Sequence, residues 1–587
     1  MLDYAAYLAA VGHSYWEQDP AAQDALAATL APEWLDWARP RFEATGARAA
    51  SVWADLAATA NENPPKLRSH NRWGERIMEV EVHPAYEQLA REVYEAGVVW
   101  PRFNEVQGGK KAPWGVVFGL GYLMSQAEQG LFCPVCLTAG TAWLLERFAD
   151  ADLKAKYLPK VAAADYDELM EGAMFLTERA GGSDVGANVV EARQEDGVWK
   201  LYGDKWFASN AGRAKAMMVL ARPAGAPGGT RGLGLFLVPR DLDDGSLNPI
   251  RINRLKDKLG TKSMPSGELT FEGAVGYPVG PVERGFACMA EMLNLSRIYN
   301  AVASVGNMRR TINTAIAYAH ARTAFGQVID RAPMVQAKLV ALEVEQEAGL
   351  RLVFEAIALL DKAEAGQATT REELALRVLT PLIKYHTARE AVDTASACAE
   401  LLGGNGYIEE WPIARFMRDG QVLPIWEGTT NILVLDVLRS FAKEGTGPAL
   451  LAWYGEKLSK VVPPALANQH GQLAAQVADL EQHLLALADL PDADKQLHAK
   501  GWCDRALRIG QGLMLLEAAA RDATTGAGRG VLVLAAFMQR HYTPGGWRQQ
   551  LQGASPALGF EAIVRKQPVS LDDAVASLRE PGMVAQS

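Results

Sequence analysis

The segment Leu423-Pro-Ile-Trp-Glu-Gly-Thr-Thr-Asn-Ile432 sets one carboxylate, Glu427, in an apolar and small-residue stretch directly before a glycine. Burial disfavours the charged form of a carboxyl group, so a lone acid in this setting is expected to have a raised pKa. That is how a fold makes a general base that works near neutral pH. The competing reading is a solvated glutamate capping the helix that starts at Thr429-Thr430-Asn431.

Three other segments could present groups to a ligand. Thr177-Glu-Arg-Ala-Gly-Gly-Ser-Asp184 closes a strand with a glycine turn and two hydroxyls. Backbone N–H groups at such a turn can approach a phosphate or a flat ring closely. Arg322-Thr-Ala-Phe-Gly326 puts a fixed cation beside an aromatic, which suits a pyrophosphate and a stacked adenine. Leu402-Gly-Gly-Asn-Gly-Tyr407 is a second backbone-exposing turn, at a helix end. None of these is a general nucleotide fingerprint: there is no strand–helix dinucleotide turn and no phosphate loop with Gly-Lys-Ser/Thr. Singly, each reads as a cap or a hairpin turn. Cys133-Pro-Val-Cys136 has redox or zinc spacing, but its neighbours are apolar and no second pair exists, so it reads as packing at a helix start.

The elements that must position these residues change texture twice. Up to about residue 165 the chain reads as helical, with Ala, Leu, Glu and Trp at three- and four-residue steps, interrupted by a turn-rich patch at Asn61-Glu-Asn-Pro-Pro65 and Arg72-Trp-Gly-Glu. From Gly172, short strand-like runs follow at close spacing: Ala173–Thr177, Val198–Gly203, Ala216–Ala221, Gly234–Pro239, and Leu269-Thr-Phe-Glu. They predict a small antiparallel barrel or sandwich. Amphipathic stretches then cover Phe286–Ala319, Met334–Ala365, Arg371–Leu402 and Thr430–Lys443, which predicts a helical bundle. Glu444-Gly-Thr-Gly-Pro448 leads into a last Ala- and Leu-rich helical segment. The expected organisation is an α+β fold in four parts: a helical domain over 1–168, a β-barrel over 169–284, a helical bundle over 285–443, and an extra helical domain over 444–587.

Composition bounds the reading. With 587 residues, roughly three or four domains are expected. A net charge of -10 argues against a protein that coats nucleic acid with its whole surface. Five cysteines, an odd and sparse set, suggest reduced thiols and a cytoplasmic location. The start lacks a basic secretory n-region, and the longest apolar run, near Gly530–Met538, is about half of a membrane span.

In this order and at these separations the motifs resemble the acyl-CoA dehydrogenases, flavoenzymes that desaturate acyl thioesters at Cα–Cβ. The resemblance covers roughly residues 60–445 and rests on Thr177-Glu-x-x-Gly-Gly-Ser-Asp184, Gly203-Asp-Lys-Trp-Phe-Ala-Ser209, Arg322-x-x-Phe-Gly326, Leu402-Gly-Gly-Asn-Gly406, Arg418-Asp419 and Ile425-Trp-Glu-Gly-Thr429. Asn63-Pro-Pro-Lys-Leu-Arg68, Val82-His-Pro-Ala-Tyr86 and Arg254-Leu-Lys-Asp-Lys-Leu-Gly260 are similar to the AidB-type alkylation-response branch.

The resemblance implies FAD held between barrel and bundle. It implies that Thr177 and Ser183 touch the flavin ring and pyrophosphate, and that Phe207 and Ser209 stand where many members have Trp and Thr at the flavin. Arg322 and Phe325 correspond to the pair that reaches the FAD of a neighbouring subunit, and Gly403 and Gly404 to the turn facing its adenosine half. Thr429 and Asn431 correspond to FAD contacts just past the base, and Glu427 to the base itself. The family's oxyanion donors are a backbone N–H at or just after the base and a flavin ribityl hydroxyl. Some members carry the base on an earlier helix; here that place reads Leu295-Ser296-Arg297 and has no carboxylate. Two positions depart from the pattern: Pro333 stands where many members have Gln, and Met174 replaces a common Tyr. The implied partners are an acyl-CoA substrate, an electron acceptor of the electron-transfer flavoprotein kind, and further copies of the chain in a homotetramer or other homo-oligomer.

A second reading is a DNA-associated flavoprotein of alkylation defence with little turnover; a third, a flavin monooxygenase, is disfavoured by the retained Glu427. Residues 441–587 hold 14 Lys and Arg against 14 Asp and Glu, so the segment has no net charge. Arg505, Arg508, Arg521, Arg529, Arg540 and Arg548 could share a face, but acids interleave with them. DNA binding is expected to be weak at best. A gel shift at physiological salt should show no nanomolar complex, and a nanomolar one would overturn this expectation.

Overall fold

The computed structural model describes residues 2–542 and 559–579. The chain forms two compact units, one from residues 1–13, 18–31 and 304–587, the other from 14–17 and 32–303.

Helices α1 (Tyr4–Val11), α2 (Pro20–Thr29), α3 (Pro32–Ala50) and α4 (Val52–Glu62) come first. The turn-rich patch, placed inside a helical region by the sequence reading, is instead a β-hairpin of β1 (Lys66–His70) and β2 (Arg76–Glu81). The side chain of Asn71 closes its turn by accepting from the N–H groups of Trp73 (2.9 Å) and Glu75 (3.0 Å). This is turn chemistry in which a polar side chain mimics the backbone. Its strands are short and largely charged, so no apolar alternation announces them. Helix α5 (Pro84–Glu95), a two-stranded piece of β3 (Glu105–Gln107) and β4 (Lys110–Lys111), and α6 (Trp114–Ser125), α7 (Phe132–Phe148) and α8 (Ala151–Val161) follow. Every residue of α6 is buried, and Cys133 and Cys136 lie in the first turns of α7.

Seven strands then share one sheet: β5 (Gly172–Phe175), β6 (Glu191–Glu195), β7 (Val198–Ser209), β8 (Ala216–Pro223), β9 (Gly234–Pro239), β10 (Ile250–Leu255) and β11 (Ser266–Pro278). Pairing runs β11–β7–β6–β8–β9 and returns from β9 to β11, which closes the circuit. Closure removes sheet edges. Pairs are antiparallel except where β5 and β6 flank β8. Strand β11 serves both ends of the circuit, pairing with β7 over Ser266–Gly276 and with β9 at Tyr277 and Pro278. The register puts Ser266 opposite Ser209 and Gly267 opposite Ala208.

Long helices return with α9 (Gly285–Ala321), a small hairpin of β12 (Thr323–Ala324) and β13 (Gln327–Val328), α10 (Pro333–Glu364) and α11 (Thr370–Leu402). A full capping box starts α11, with Thr369 and Glu372 satisfying each other's backbone N–H. Helices α12 (Pro412–Gly420), α13 (Thr430–Glu444), α14 (Thr446–Leu458), α15 (Ala467–Ala488), α16 (Asp492–Thr524), α17 (Arg529–Tyr542) and α18 (Leu571–Arg579) complete the described chain.

Within the bundle unit, α10 buries three glutamates, Glu343, Glu345 and Glu347. Buried carboxylates need counter-charges. Glu343 receives Arg309 of α9 (2.7 Å) and Lys566 (2.9 Å). Glu345 receives Arg508 (2.5 Å), Arg540 (2.8 Å) and His541 (2.6 Å). Glu347 receives Arg351 and Arg529, each at 2.8 Å. Arg351 and Arg521 also meet on Asp24 of α2.

The cations that the sequence reading allowed to share a C-terminal face are instead engaged by carboxylates of the same unit. Arg508, Arg529 and Arg540 serve α10, Arg521 serves Asp24, and Arg505 pairs with Asp479. Arg548 lies outside the described residues.

Burial alone would raise the Glu343 carboxyl, but Arg309 and Lys566 outweigh it and hold its pKa down at about 2. The stabilisation from this group is complete above its ordinary pKa of 4.5 and is lost as pH falls toward about 2. Glu343→Ala leaves Arg309 and Lys566 facing each other without their carboxylate. It should cost about 3–5 kcal/mol of unfolding free energy in a denaturant titration at neutral pH, with the gap between variant and parent narrowing below pH 4.5.

Candidate functional site

In the bundle unit, Glu427 sits on the connection between α12 and α13. Turns bring the chain back on itself, with the N–H of Ile425 (2.9 Å) and of Trp426 (3.1 Å) both donating to the carbonyl of Val422. Glu427 then adopts φ 57° and Gly428 φ 99°. The left-handed region is natural for glycine but costs a glutamate about 1–3 kcal/mol. The side chain of Glu427 is half-buried, neither sealed in the core nor on the open surface.

One residue that holds this turn was not singled out from the sequence. Lys384, in the middle of α11, is wholly buried. Its ammonium donates to the carbonyl of Trp426 (2.5 Å) and to the carbonyl of Gly428 (2.6 Å), one on each side of Glu427. Beside it the indole Nε1 of Trp426 is enclosed and has no hydrogen-bond partner among the described residues. Helix α13 begins immediately after, and Thr429, its N-cap residue, makes no side-chain capping bond. Thr429 and Asn431 are both exposed.

The β12–β13 hairpin presents Arg322 and Phe325. The backbone of Arg322 is fixed from three sides: its N–H donates to Tyr318, its carbonyl accepts from Ile329 (both 2.9 Å), and it bridges to Leu2. Its half-buried guanidinium makes no ion pair among the described residues. Phe325 stands at the hairpin tip with φ 52° and a fully solvent-facing ring. Gly403, at φ 60°, and Gly404 end α11, and a Cβ added to either would meet nothing within 4 Å. Asn405 of the same turn donates to the Tyr318 hydroxyl (3.2 Å), whose ring packs edge-on against Trp411.

In the barrel unit, Thr177 follows β5 and is tied to β7 by the Trp206 N–H donating to its carbonyl (2.9 Å). The turn after it closes through the Gly181 N–H to Glu178 O (2.9 Å), with Gly181 at φ 118°. A Cβ on Gly182 would lie 2.5 Å from the Thr177 hydroxyl oxygen. Buried Glu178 accepts from the Val189 N–H (2.6 Å), the Val190 N–H (3.2 Å) and Lys205 (2.7 Å). Burial pulls the Lys205 ammonium down to about 8, although Glu178 beside it acts in the opposite direction. This pair fixes the root of the loop and leaves Ser183 exposed at its far end. On β7, Phe207 is 57 % exposed, which for an aromatic flanked by buried Ala208 marks a ring offered to something outside the strand. The Lys256 ammonium lies 3.9 Å from the centre of the Trp206 ring and 4.7 Å from that of Phe207. Ser209 is half-buried at the end of β7.

The structure thus ties Thr177 to β7, the strand that carries Phe207 and Ser209, and brings Glu427, Thr429 and Asn431 together at one helix start. Each unit by itself offers polar groups and an exposed aromatic ring of the kind that a large anionic aromatic ligand uses.

The acyl-CoA dehydrogenase C-terminal domain profile matches residues 283–442, and the middle domain profile matches 173–274. The profile of the adaptive response protein AidB N-terminal domain matches 8–168. The chain belongs to the acyl-CoA dehydrogenase family. This acyl-CoA dehydrogenase is an FAD-dependent oxidoreductase of the AidB-type branch. It is 35% identical over 426 residues to acyl-CoA dehydrogenase family member 11 of Caenorhabditis elegans, covering 71% of this chain and 68% of the relative. It is 34% identical over 402 residues to the putative acyl-CoA dehydrogenase AidB of Escherichia coli, covering 66% and 71%. Among solved structures it is similar to C. elegans ACDH-11 in complex with C11-CoA, at a TM-score of 0.85 and 30% identity, covering 91% of this chain and 93% of that one.

Proposed function

We propose that this enzyme desaturates an acyl-CoA thioester between Cα and Cβ, with Glu427 as the base that takes the α-proton. The observation that carries the reading is the backbone at residue 427. A non-glycine residue held at φ 57° stores strain, and its side chain is half-buried. The nematode relative's complex with C11-CoA supports an acyl-CoA as the substrate class.

FAD fits the donors present. Arg322 offers a cation to a pyrophosphate, and Ser183, Thr429 and Asn431 offer open polar groups. Gly403 and Gly404 leave room for close approach, and Phe207 and Phe325 offer faces for flat rings. In this reading Thr177, Ser183, Phe207, Ser209, Thr429 and Asn431 hold the cofactor of their own subunit. Arg322, Phe325, Gly403 and Gly404 reach that of a neighbour. Bound FAD supplies a hydride acceptor. The protein supplies alignment and proton chemistry. Glu427 accepts the α-proton, and the N–H of Glu427 or Gly428 donates to the thioester carbonyl oxygen as negative charge grows there.

Exposed Phe325, Met334 and Tyr407 favour a homo-oligomer, a homotetramer by family resemblance. We assign reoxidation to an electron-transfer flavoprotein and the location to the cytoplasm; no helix among the described residues is long and apolar enough to cross a membrane. Against a DNA-binding role stand the ion pairs of Arg505, Arg508, Arg521, Arg529 and Arg540, since a cation committed to a carboxylate releases no counterion from a phosphate.

Anaerobic mixing of the yellow protein with short, branched and aromatic acyl-CoAs should bleach the flavin with at least one of them; none bleaching, together with salt-sensitive DNA binding, would favour the DNA-associated reading. Glu427→Gln should keep its flavin and lose turnover by about 10³-fold, and unchanged turnover would remove Glu427 from this role. Gly182→Ala drives a methyl group to 2.5 Å from the Thr177 hydroxyl oxygen. It should lower the flavin-to-protein absorbance ratio after purification, and full retention would remove Thr177 from the cofactor site.

A further inference from the structure

We infer that Lys384 is the positioning residue that sets both the Glu427 carboxylate and the Glu427 backbone N–H for proton abstraction. The inference rests on Glu427 being the base.

The argument begins with the two hydrogen bonds. The Lys384 ammonium takes the carbonyl of Trp426 at 2.5 Å and the carbonyl of Gly428 at 2.6 Å. These belong to the 426–427 and 428–429 peptides. The two planes on either side of the Glu427–Gly428 peptide are thus pinned to one charged group. No peptide bond among the described residues is cis. In a planar trans peptide the C=O and the N–H point in opposite directions. Turning the Trp426 carbonyl toward Lys384 therefore turns the Glu427 N–H away from it. The same holds for the Gly428 carbonyl and the Thr429 N–H.

The clamp explains how a glutamate stays at φ 57° next to a glycine at φ 99°. Left alone, the glutamate would relax toward negative φ. That change would rotate its Cβ, and with it the carboxylate, and would swing the adjoining peptide planes. A charged donor binds carbonyls more firmly than a neutral one. Lys384 also sits on a rigid support: it is wholly buried in the middle of a 33-residue helix, with Leu382, Ile383 and Tyr385 buried around it. Burying an ammonium is unfavourable unless polar partners receive it. Among the partners that receive it are the two carbonyls that flank the proposed base.

The test uses the FAD-loaded enzyme and reads proton abstraction apart from net oxidation. In deuterated water the wild type should wash deuterium into Cα of an acyl-CoA that it accepts, followed by NMR. Lys384→Met should slow this exchange and kcat by about 10²-fold, with KM for the acyl-CoA and the flavin content little changed. Lys384→Gln, which keeps an uncharged donor, should fall between Met and wild type. Wild-type exchange in a folded Lys384→Met, or in Lys384→Gln if Met does not fold, would overturn the inference. So would a loss confined to flavin content or to melting temperature, the pattern of a merely structural lysine. Failure of the underlying reading looks different: Glu427→Gln would then exchange and turn over normally whatever the Lys384 variants do.

Discussion

The bundle unit is organised by a debt of charge inside α10. Three glutamates within five residues, Glu343, Glu345 and Glu347, are buried. A buried carboxylate without a partner is far more costly than any single apolar contact is favourable. The chain resolves this by drawing cations from distant segments: Arg309 from α9, Arg508 from α16, Arg529, Arg540 and His541 from α17, and Lys566 from beyond it. The C-terminal helices are in this sense part of the core of their unit. Arg508 and Arg529, which the sequence reading left free to share a basic face, are in three dimensions counter-ions of buried carboxylates.

The same logic, on a smaller scale, shapes the candidate residues of each unit. In the barrel unit Lys205 and Glu178 neutralise each other at the root of the Thr177–Asp184 loop, and Glu178 also takes two backbone N–H groups just before β6. In the bundle unit Lys384 gives its charge to two carbonyls. Each time a buried lysine fixes backbone, and the groups that face a ligand are the neighbours of that backbone rather than the lysine. Precision of this kind suits a site built on loops, which need rigid supports to hold their geometry.

Much of the architecture was legible because it follows from periodicity and punctuation. The bundle helices expected over Phe286–Ala319, Arg371–Leu402 and Thr430–Lys443 differ from the observed ones by at most two residues at either end. Five of the seven barrel strands announced themselves as short apolar runs between turns, whereas β6 (Glu-Ala-Arg-Gln-Glu) and β10 (Ile-Arg-Ile-Asn-Arg-Leu) were not read, because charged and polar residues break up their apolar positions. Strand β11 was legible only in its centre, because irregular register near Gly267 and Glu272 breaks the alternation that a reader follows. The 66–81 hairpin was missed for the opposite reason: its strands carry charges on exposed faces and show no apolar stripe. At the site, Glu427 stood out as a lone acid before a glycine. Lys384 did not, since Leu-Ile-Lys-Tyr in a helix looks like any lysine reaching solvent, and its two partners lie more than forty residues away. Ion pairs between α10 and the C-terminal segment span up to 223 residues and leave no local trace.

The seclusion of the α10 carboxylates has a consequence for how this protein meets its medium. Dissolved salt weakens an electrostatic attachment by gathering mobile ions around it, and those ions go only where water goes. Glu343 and Glu347 are almost wholly withdrawn from water. The hold of Glu343 and Glu347 on their cations is therefore indifferent to brine, whereas protons, small enough to follow the carboxyl oxygens inward, can undo it.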